Sequence, residues 1–381
     1  MSETYFGRGT REMFDEYMDF INYVFGFNGR SEDFKKLLPK LYKYELEPAV
    51  NSYVATEDGR LRAAVGAYPF TMSVCGITLR GVGIGNVASH PYSAGSGYMT
   101  RLIDMAIDDM IADGCDLSIL GGQRQRYNHF SFEHGGPQYD VALETPNMKH
   151  AFGGCETDVE MFKVEPDDKA SLDFIAETYD ARPYRQHRDR ERLYDILATW
   201  HSVPYIFRRG DEPVGYCILM GECRPEIFST NDENFVEMLK AIMKTRSRVT
   251  FDVPDFMPQQ LRILERICEN IKPCTNHMFS VLCYKRVIDA FLKLKATYKK
   301  LPDGELTALI HGRAGDEQLK ISVKDGETSV SEATGAYDIE LDELEAIRFF
   351  FAHVSMDRRE FSPFAESVFP LPIFEYPADA V

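Results

Sequence analysis

The chain has 381 residues, with 43 Lys plus Arg against 60 Asp plus Glu, a formal net charge of -17 and 44% hydrophobic content. This length and apolar share predict two or three domains with ordinary cores. The charge argues against nucleic acid as a partner, because phosphate binding draws on excess Lys and Arg; it fits a cationic substrate and, equally, plain solubility.

Residues Glu12 to Phe25 are predicted to form an amphipathic helix, with Met13, Tyr17, Phe20 and Val24 on one row and Phe14, Met18, Ile21 and Phe25 on the next. Ser52 to Thr56, the turn Glu57-Asp-Gly59 and Leu61 to Phe70 read as a hairpin, and Val74 to Val82 and Ile84 to His90 as further strands. The segment Asn86-Val-Ala-Ser-His-Pro-Tyr-Ser-Ala-Gly-Ser-Gly-Tyr98 then breaks at Pro91 into a loop of small residues. An amphipathic helix follows, with Met99, Leu102, Ile103, Ala106, Ile107, Met110 and Ile111 on one face and Gly114 as its stop. Such a loop is a phosphate cradle: Gly95, Ser96 and Gly97 let the backbone approach a ligand, and the first helical turn presents free N–H groups. Leu117 to Leu120 reads as a buried strand, and this first α/β unit closes near Gln138 to Leu143.

Downstream, Asp158 to Val164 is predicted as a strand, Ala170 to Tyr179 as a helix, and Tyr205 to Met220 as a hairpin turning at Gly210. That hairpin echoes Val54 to Gly66, a faint internal duplication whose second copy has no glycine-rich loop and is expected to bind no cofactor. The cluster Arg182-Pro-Tyr-Arg-Gln-His-Arg-Asp-Arg-Glu-Arg192 mixes signs at helical spacing and reads as a solvated face rather than an anion site. From there Arg286 to Tyr298 is a helix, Glu305 to Gly312, Gln318 to Val323 and Glu327 to Ala333 are strands, and Leu341 to Phe351 is a helix. The tail Phe369 to Val381 is too apolar to hang in water and is expected to insert into the fold.

The eight cysteines show no Cys-x-x-Cys pair and no zinc-like Cys/His spacing, so reduced thiols and no metal are expected. No apolar run is long enough for a bilayer and Met1 to Arg8 has no signal-peptide core. The expectation is therefore no membrane partner and a cytoplasmic location.

Strand, phosphate loop, helix and strand, followed by Tyr127-x-x-Phe130-x-Phe132-Glu133, resemble the acetyl-CoA half of the GNAT N-acetyltransferases. Tandem units of this kind followed by a small domain with a docked tail look like the enhanced intracellular survival (Eis) acetyltransferases, whose third domain is similar to sterol carrier protein. The resemblance implies an α/β chain of mixed α+β sheets: a GNAT domain over 1–150, a degenerate GNAT-like domain over 151–285 and a sterol carrier protein-like domain over 286–381. It implies acetyl-CoA as cosubstrate, a small-molecule primary amine (aminoglycoside-, polyamine- or lysine-like) as acceptor, and a homo-oligomer, a hexamer in that family. Cofactor contacts fall on Val87, Ala88, Gly95, Ser96, Gly97 and Tyr98, and catalysis on Tyr127 as general acid and on the terminal carboxylate of Val381 as base or orienter of the amine.

Two departures from the family pattern stand out. Where relatives carry arginines before the second glycine, this chain has Ser93, Ala94, Gly95 and Ser96, leaving backbone amides and the helix dipole to meet the pyrophosphate. Weaker acetyl-CoA binding, another acyl-CoA and a vestigial site all fit that loss, the last leaving a GNAT-derived scaffold or apolar-ligand sensor; Arg124 and Arg126 are candidates to restore the charge. Ser131 also replaces the glycine usual before Phe132.

Overall fold

The computed structural model describes residues 3–27, 29, 32–221, 223–353, 358 and 362–381, without the side chains of 223–225. In chain order the strands are β1 (Thr4–Arg8), β2 (Ser52–Glu57), β3 (Arg60–Val74), β4 (Ile77–Ser89), β5 (Leu117–Leu120), β6 (Glu133–His134), β7 (Pro137–Glu144), β8 (Val159–Lys163), β9 (Tyr184–Gln186) and β10 (Val203–Arg209). They continue as β11 (Glu212–Met220), β12 (Cys223–Ser229), β13 (Arg248–Pro254), β14 (Ile271–Thr275), β15 (Met278–Val281), β16 (Gly304–Gly312), β17 (Gly315–Lys324), β18 (Glu327–Glu332) and β19 (Ile339–Asp342).

Three sheets result, ordered β1-β2-β3-β4-β5-β15-β6 with β9 added on β3, β14-β7-β13-β12-β11-β10-β8, and β18-β17-β16-β19. The first two repeat one plan. Four antiparallel strands lead to one parallel step, β4 to β5 in the first and β12 to β13 in the second, and two further strands finish the ladder. The hairpins β2–β3 and β10–β11 hold equivalent places, and each carries a register shift, at Ala55/Thr56 and at Phe207/Arg208. This is the duplication that the Val54 and Tyr205 segments suggest.

The copies exchange a strand. β15, which follows the second sheet's β14, pairs between β5 and β6; β7, which follows the first sheet's β6, pairs between β13 and β14. Gln138 to Leu143 therefore belong to the second sheet and do not close the first unit, and the first two sheets do not divide at residue 150, whereas every strand of the third lies beyond residue 285. The pairing partners lie more than a hundred residues away, beyond the reach of any local pattern.

Smaller corrections have local causes. The first helix runs Phe14–Phe27 behind a 3₁₀ turn at Arg11–Met13. The two strands expected over Val74 to His90 are the single strand β4, because the break falls earlier, at Cys75 and Gly76, whose φ of 48° and 83° make the tight hairpin turn. Leu341 lies in β19, and the last predicted helix is Glu343–Phe351; Asp342 caps it by accepting from the amides of Leu344 and Glu345, while the Glu345 side chain accepts in return from the Asp342 amide.

Alternation on β2 and β3 separates two faces of the first sheet. Tyr53, Ala55, Ala63, Val65 and Ala67 pack on the helix Tyr98–Ala112. Val54, Leu61, Ala64 and Tyr68 pack on the helix Phe14–Phe27. Below them, Met72, Leu79 and Ile119 of the first sheet, Ile206 and Tyr216 of the second and Leu306 and Ile321 of the third join the helix Tyr284–Tyr298 in one apolar body. The chain end is part of that body, with Leu371, Ile373, Phe374, Tyr376 and Ala378 buried. At ~1.5–3 kcal/mol for each large apolar side chain taken from water, the tail adds to the core it enters.

Candidate functional site

The parallel partner of β4 is short. β5 pairs with β4 only from Gly81↔Leu117 to Ile84↔Leu120, while β4 runs on to Ser89. The two strands part beyond Ile84, opening one edge of β4 over Gly85 to Ser89. At the same point β4 bulges: between the pairs Gly66↔Gly85 and Ala64↔Ala88, Asn86 and Val87 oppose the single residue Val65. Asn86 makes the bulge by adopting φ 47°. A bulge turns backbone groups out of the ladder, and Val87 and Ala88 lie at it on the stretch of β4 that β5 does not cover.

Beyond β4, His90 accepts a hydrogen bond from the Tyr92 amide and caps a short 3₁₀ turn over Pro91–Ser93. Gly95 (φ 81°) and Gly97 (φ 75°) carry the chain through left-handed conformations into the helix Tyr98–Ala112. No side chain caps that helix, and no described backbone carbonyl accepts from the Gly95 or Gly97 amide. A Cβ at either glycine would meet nothing within 4 Å, so the approach from outside is open. Together these amides and the uncapped helix start leave donors free at the mouth of the loop, the chemistry that suits an anion. Arginine is missing from the loop, but a cavity of about 750 Å³ beside Met99 and Thr100 is lined by Arg126 and by Arg313 from the β16–β17 turn. Arg313 also pairs with Asp104 at 3.0 Å.

Tyr127 ends a short helix, Arg124–Tyr127, and its ring lies against Gly122, where a Cβ would come within 2.6 Å of Cε2. It packs with Val82, Ile84, Leu120 and Phe130 on the Tyr98–Ala112 face of the sheet. Burial pushes its phenol above the usual value, with Arg126 opposing. Arg124 is engaged elsewhere: it holds the buried carboxylate of Glu133, which also accepts from Arg348 Nε at 2.9 Å. Burial would raise the Glu133 carboxyl, but Arg124, the His134 amide and Arg348 outweigh it and hold it below the usual range. Ser131 adopts φ 66°, the conformation that makes glycine usual there, and its buried hydroxyl has no partner among the described residues.

Val381 reaches the other face. It packs against the cluster of the Phe14–Phe27 helix, directly over two glycines of β4. A Cβ at Gly83 would lie 2.6 Å from Val381 Cγ2, and one at Gly85 would lie 3.1 Å from the carboxyl carbon. The chain terminus, the bulge and the open edge of β4 thus come together, and Tyr127 lies across the sheet from Val381. Val381 lines a cleft of about 790 Å³ that also takes in Lys40, Tyr68, Gly83, His187 and Arg188.

One expectation fails here. The Arg182–Arg192 segment is not a solvated helical face: Tyr184–Gln186 is a strand, and Arg188 is buried between the carboxylates of Glu226 and Asp379. The expectation holds for Arg185 and Arg190 on Asp180 and for Arg192 on Asp189, while Arg182 lies over the Phe228 ring. Lys40, buried beside this group, belongs to no motif. A lysine in an apolar setting next to Leu38 and Tyr42 is the signal that was present.

Among known proteins, the acetyltransferase (GNAT) domain family matches residues 7–135. No curated protein matches the chain. In solved structures the chain is similar to a probable N-acyltransferase of Enterococcus faecalis V583, at 15% identity, with 98% of each chain covered and a TM-score of 0.68. It is also similar to a GCN5-related N-acetyltransferase of Anabaena variabilis, at 14% identity, with 100% of both chains covered and a TM-score of 0.66. Eis1 of Mycobacterium abscessus matches at 12% identity, over 100% of this chain and 99% of that one, with a TM-score of 0.64. At these identities the likeness is one of fold, and it extends over the full length. Among the described residues no helix is long and apolar enough to cross a membrane.

Proposed function

We propose that this protein is an acetyl-CoA-dependent N-acetyltransferase acting on a primary amine of the aminoglycoside, polyamine or lysine type. The observation that carries the reading is the seat of the terminal carboxylate on Gly85, with the Val381 side chain on Gly83, beside the bulge that opens β4. In this reading the amides of Gly95, Gly97 and Tyr98 meet the pyrophosphate, joined by that of Ser96 as it leaves the Ser93 carbonyl 3.2 Å away, with Arg126 and Arg313 supplying the charge that the loop lacks. The freed main chain of Val87 and Ala88 orients the thioester.

The acceptor nitrogen enters from the Val381 face and attacks the thioester carbonyl. The carbon–sulfur bond breaks, and the thiolate takes a proton from Tyr127 on the opposite face. A phenol whose pKa burial has raised keeps its proton until a strong base appears. Before that attack the ammonium gives one proton toward the Val381 carboxylate, which also orients the amine, and the proton shed by the new amide nitrogen restores the Tyr127 phenol. A chain-terminal carboxylate ordinarily titrates near about 3.5 and is a weak base, so orientation is the larger share of its work.

Isothermal titration with acetyl-CoA, followed by transfer assays with kanamycin, spermidine and a lysine peptide, tests the reading in the native chain and in one extended beyond Val381. Binding in both, with transfer at least tenfold slower in the extended chain, is the expected result. Absence of acetyl-CoA binding to the native chain would overturn it.

A further inference from the structure

The last thirteen residues form neither helix nor strand, yet their end is held in one place. Apolar contacts cannot account for that alone, because burial of Leu371, Ile373, Phe374 and Tyr376 is non-directional: it sets how deep the tail sinks, not where its last atoms point. Direction comes from polar groups. Arg188 donates from Nε to Asp379 Oδ1 at 2.7 Å and from Nη2 to Oδ2 at 3.0 Å, while Nη1 and Nη2 donate to the two oxygens of Glu226 at 2.8 and 2.6 Å. Its guanidinium lies 3.8 Å over the Tyr179 ring, and the Tyr179 hydroxyl donates to Asp379 at 3.0 Å. Tyr216 closes the other end on Glu226 at 3.0 Å. From the first unit, Lys40 Nζ donates to the carbonyl of Ala378 at 2.7 Å.

These groups are nearly out of water, with side chains of Arg188, Asp379 and Glu226 exposed by 3%, 3% and 1%. Buried ion pairs of this kind add little stability over well-packed apolar residues, and their best-attested use is to impose one geometry. The geometry imposed here is that of Asp379 and Ala378. Val381 lies two residues further on, within ~7 Å of extended chain.

We propose that Arg188, Asp379 and Lys40 are positioning residues that clamp the tail so that the Val381 carboxylate rests on Gly85 and the Val381 side chain on Gly83. The clamp draws one arm from each side of the cleft, Lys40 from the segment after the first helix and Arg188 with Glu226 from the second copy. The second copy thereby has a task that needs no cofactor loop. The proposal rests on the reading that the carboxylate meets the acceptor, and its test separates the two.

Carboxypeptidase release of Val381, followed by mass, reads the clamp without any acceptor. The wild-type tail should resist, and Asp379→Asn, which leaves the Arg188–Glu226 pair intact, should lose Val381 at least tenfold faster while the thermal midpoint moves little. Lys40→Met loosens the same tail from the opposite side and serves if Asp379→Asn fails to fold. Release as slow as wild type in a folded variant overturns the clamp, whatever the carboxylate does. In transfer assays Asp379→Asn should lower kcat about tenfold with the KM for acetyl-CoA unchanged, Asp379→Glu should recover part of it, and the loss should vanish in a chain already extended beyond Val381. An equal loss in the extended chain would make Asp379 merely structural. Unchanged transfer on extending the terminus would overturn the reading of the carboxylate while leaving the release experiment to judge the clamp.

Discussion

The carboxyl carbon of Val381 lies against the Cα of Gly85, so close that a Cβ there would stand 3.1 Å from it, and Gly83 is closer still to the valine methyl. Neither glycine needs a left-handed backbone, so alanine is conformationally acceptable and the clash is with the tail alone. Gly83→Ala should displace the chain end and reduce transfer at least tenfold, with acetyl-CoA affinity within about twofold by titration. Val381→Gly in the same chain removes the methyl that clashes and should restore part of the rate. Full activity of Gly83→Ala by itself would mean that the terminus can leave its seat without consequence.

Replacing Tyr127 by phenylalanine keeps the ring on Gly122 and removes only the hydroxyl. A general acid contributes about 10²–10⁴-fold, so kcat should fall by at least ~10² while acetyl-CoA binding stays as it was. Because burial raises the Tyr127 phenol, the alkaline loss of activity that belongs to this group should lie above the ordinary tyrosine range. A wild-type rate in Tyr127→Phe would reduce the residue to packing.

Gly97 holds φ 75° at the start of the Tyr98–Ala112 helix. Valine there carries the steric cost of a left-handed β-branched residue, ~1–2 kcal/mol, and places two methyls where the backbone must approach the pyrophosphate. Titration should show acetyl-CoA affinity lowered at least tenfold, with a thermal midpoint down by only a few degrees. Gly95→Ala, smaller and earlier in the loop, should weaken binding less. Equal affinity in Gly97→Val would move the cofactor away from this loop.

The parts of the site that sequence shows are those built from local chemistry. Pro91, Gly95 and Gly97 announce a turn into a helix because few other residues adopt those backbone angles, and the row from Met99 to Ile111 announces the helix itself. The burial of Phe369 to Val381 is legible from apolar content alone. What sequence hides is long-range pairing. β15 between β5 and β6, and β7 in the other sheet, are strands whose partners could not be chosen from their own residues. Arg188 is hidden for the same reason: its neighbours in sequence are charged and exposed, and the carboxylates that make its burial tolerable arrive from Glu226 and Asp379. The bulge at Asn86 is equally silent, since asparagine at φ 47° looks like any polar residue in a strand.

Lys40 ties the tail to pH in a calculable direction. Burial pushes its amine down to about 8, against the raising effects of Asp379 and Glu375 and with Arg188 adding to the lowering. In the unfolded chain the amine titrates near the ordinary lysine value of about 10.4. Below pH 8 both states hold the proton, and the folded state bears the full cost of a buried ammonium. Between about 8 and 10.4 the folded protein has released the proton and the unfolded chain has not, so unfolding takes up a proton and stability rises with pH. Above that window the contribution is constant. The gain across it is bounded at about 3 kcal/mol. Lys295, pushed by burial to about 7 and bonded to the Pro370 carbonyl, drifts in the same direction, so the comparison must be with a chain that differs only at residue 40. Denaturant unfolding of wild type and Lys40→Met at pH 7 and pH 10 isolates it: the stability of wild type relative to the variant should rise by about one to three kcal/mol between the two pH values, of order the bound above. A difference that stays flat would mean that Lys40 titrates in the folded protein as it does in water, and that the ammonium holding Ala378 is not a buried one.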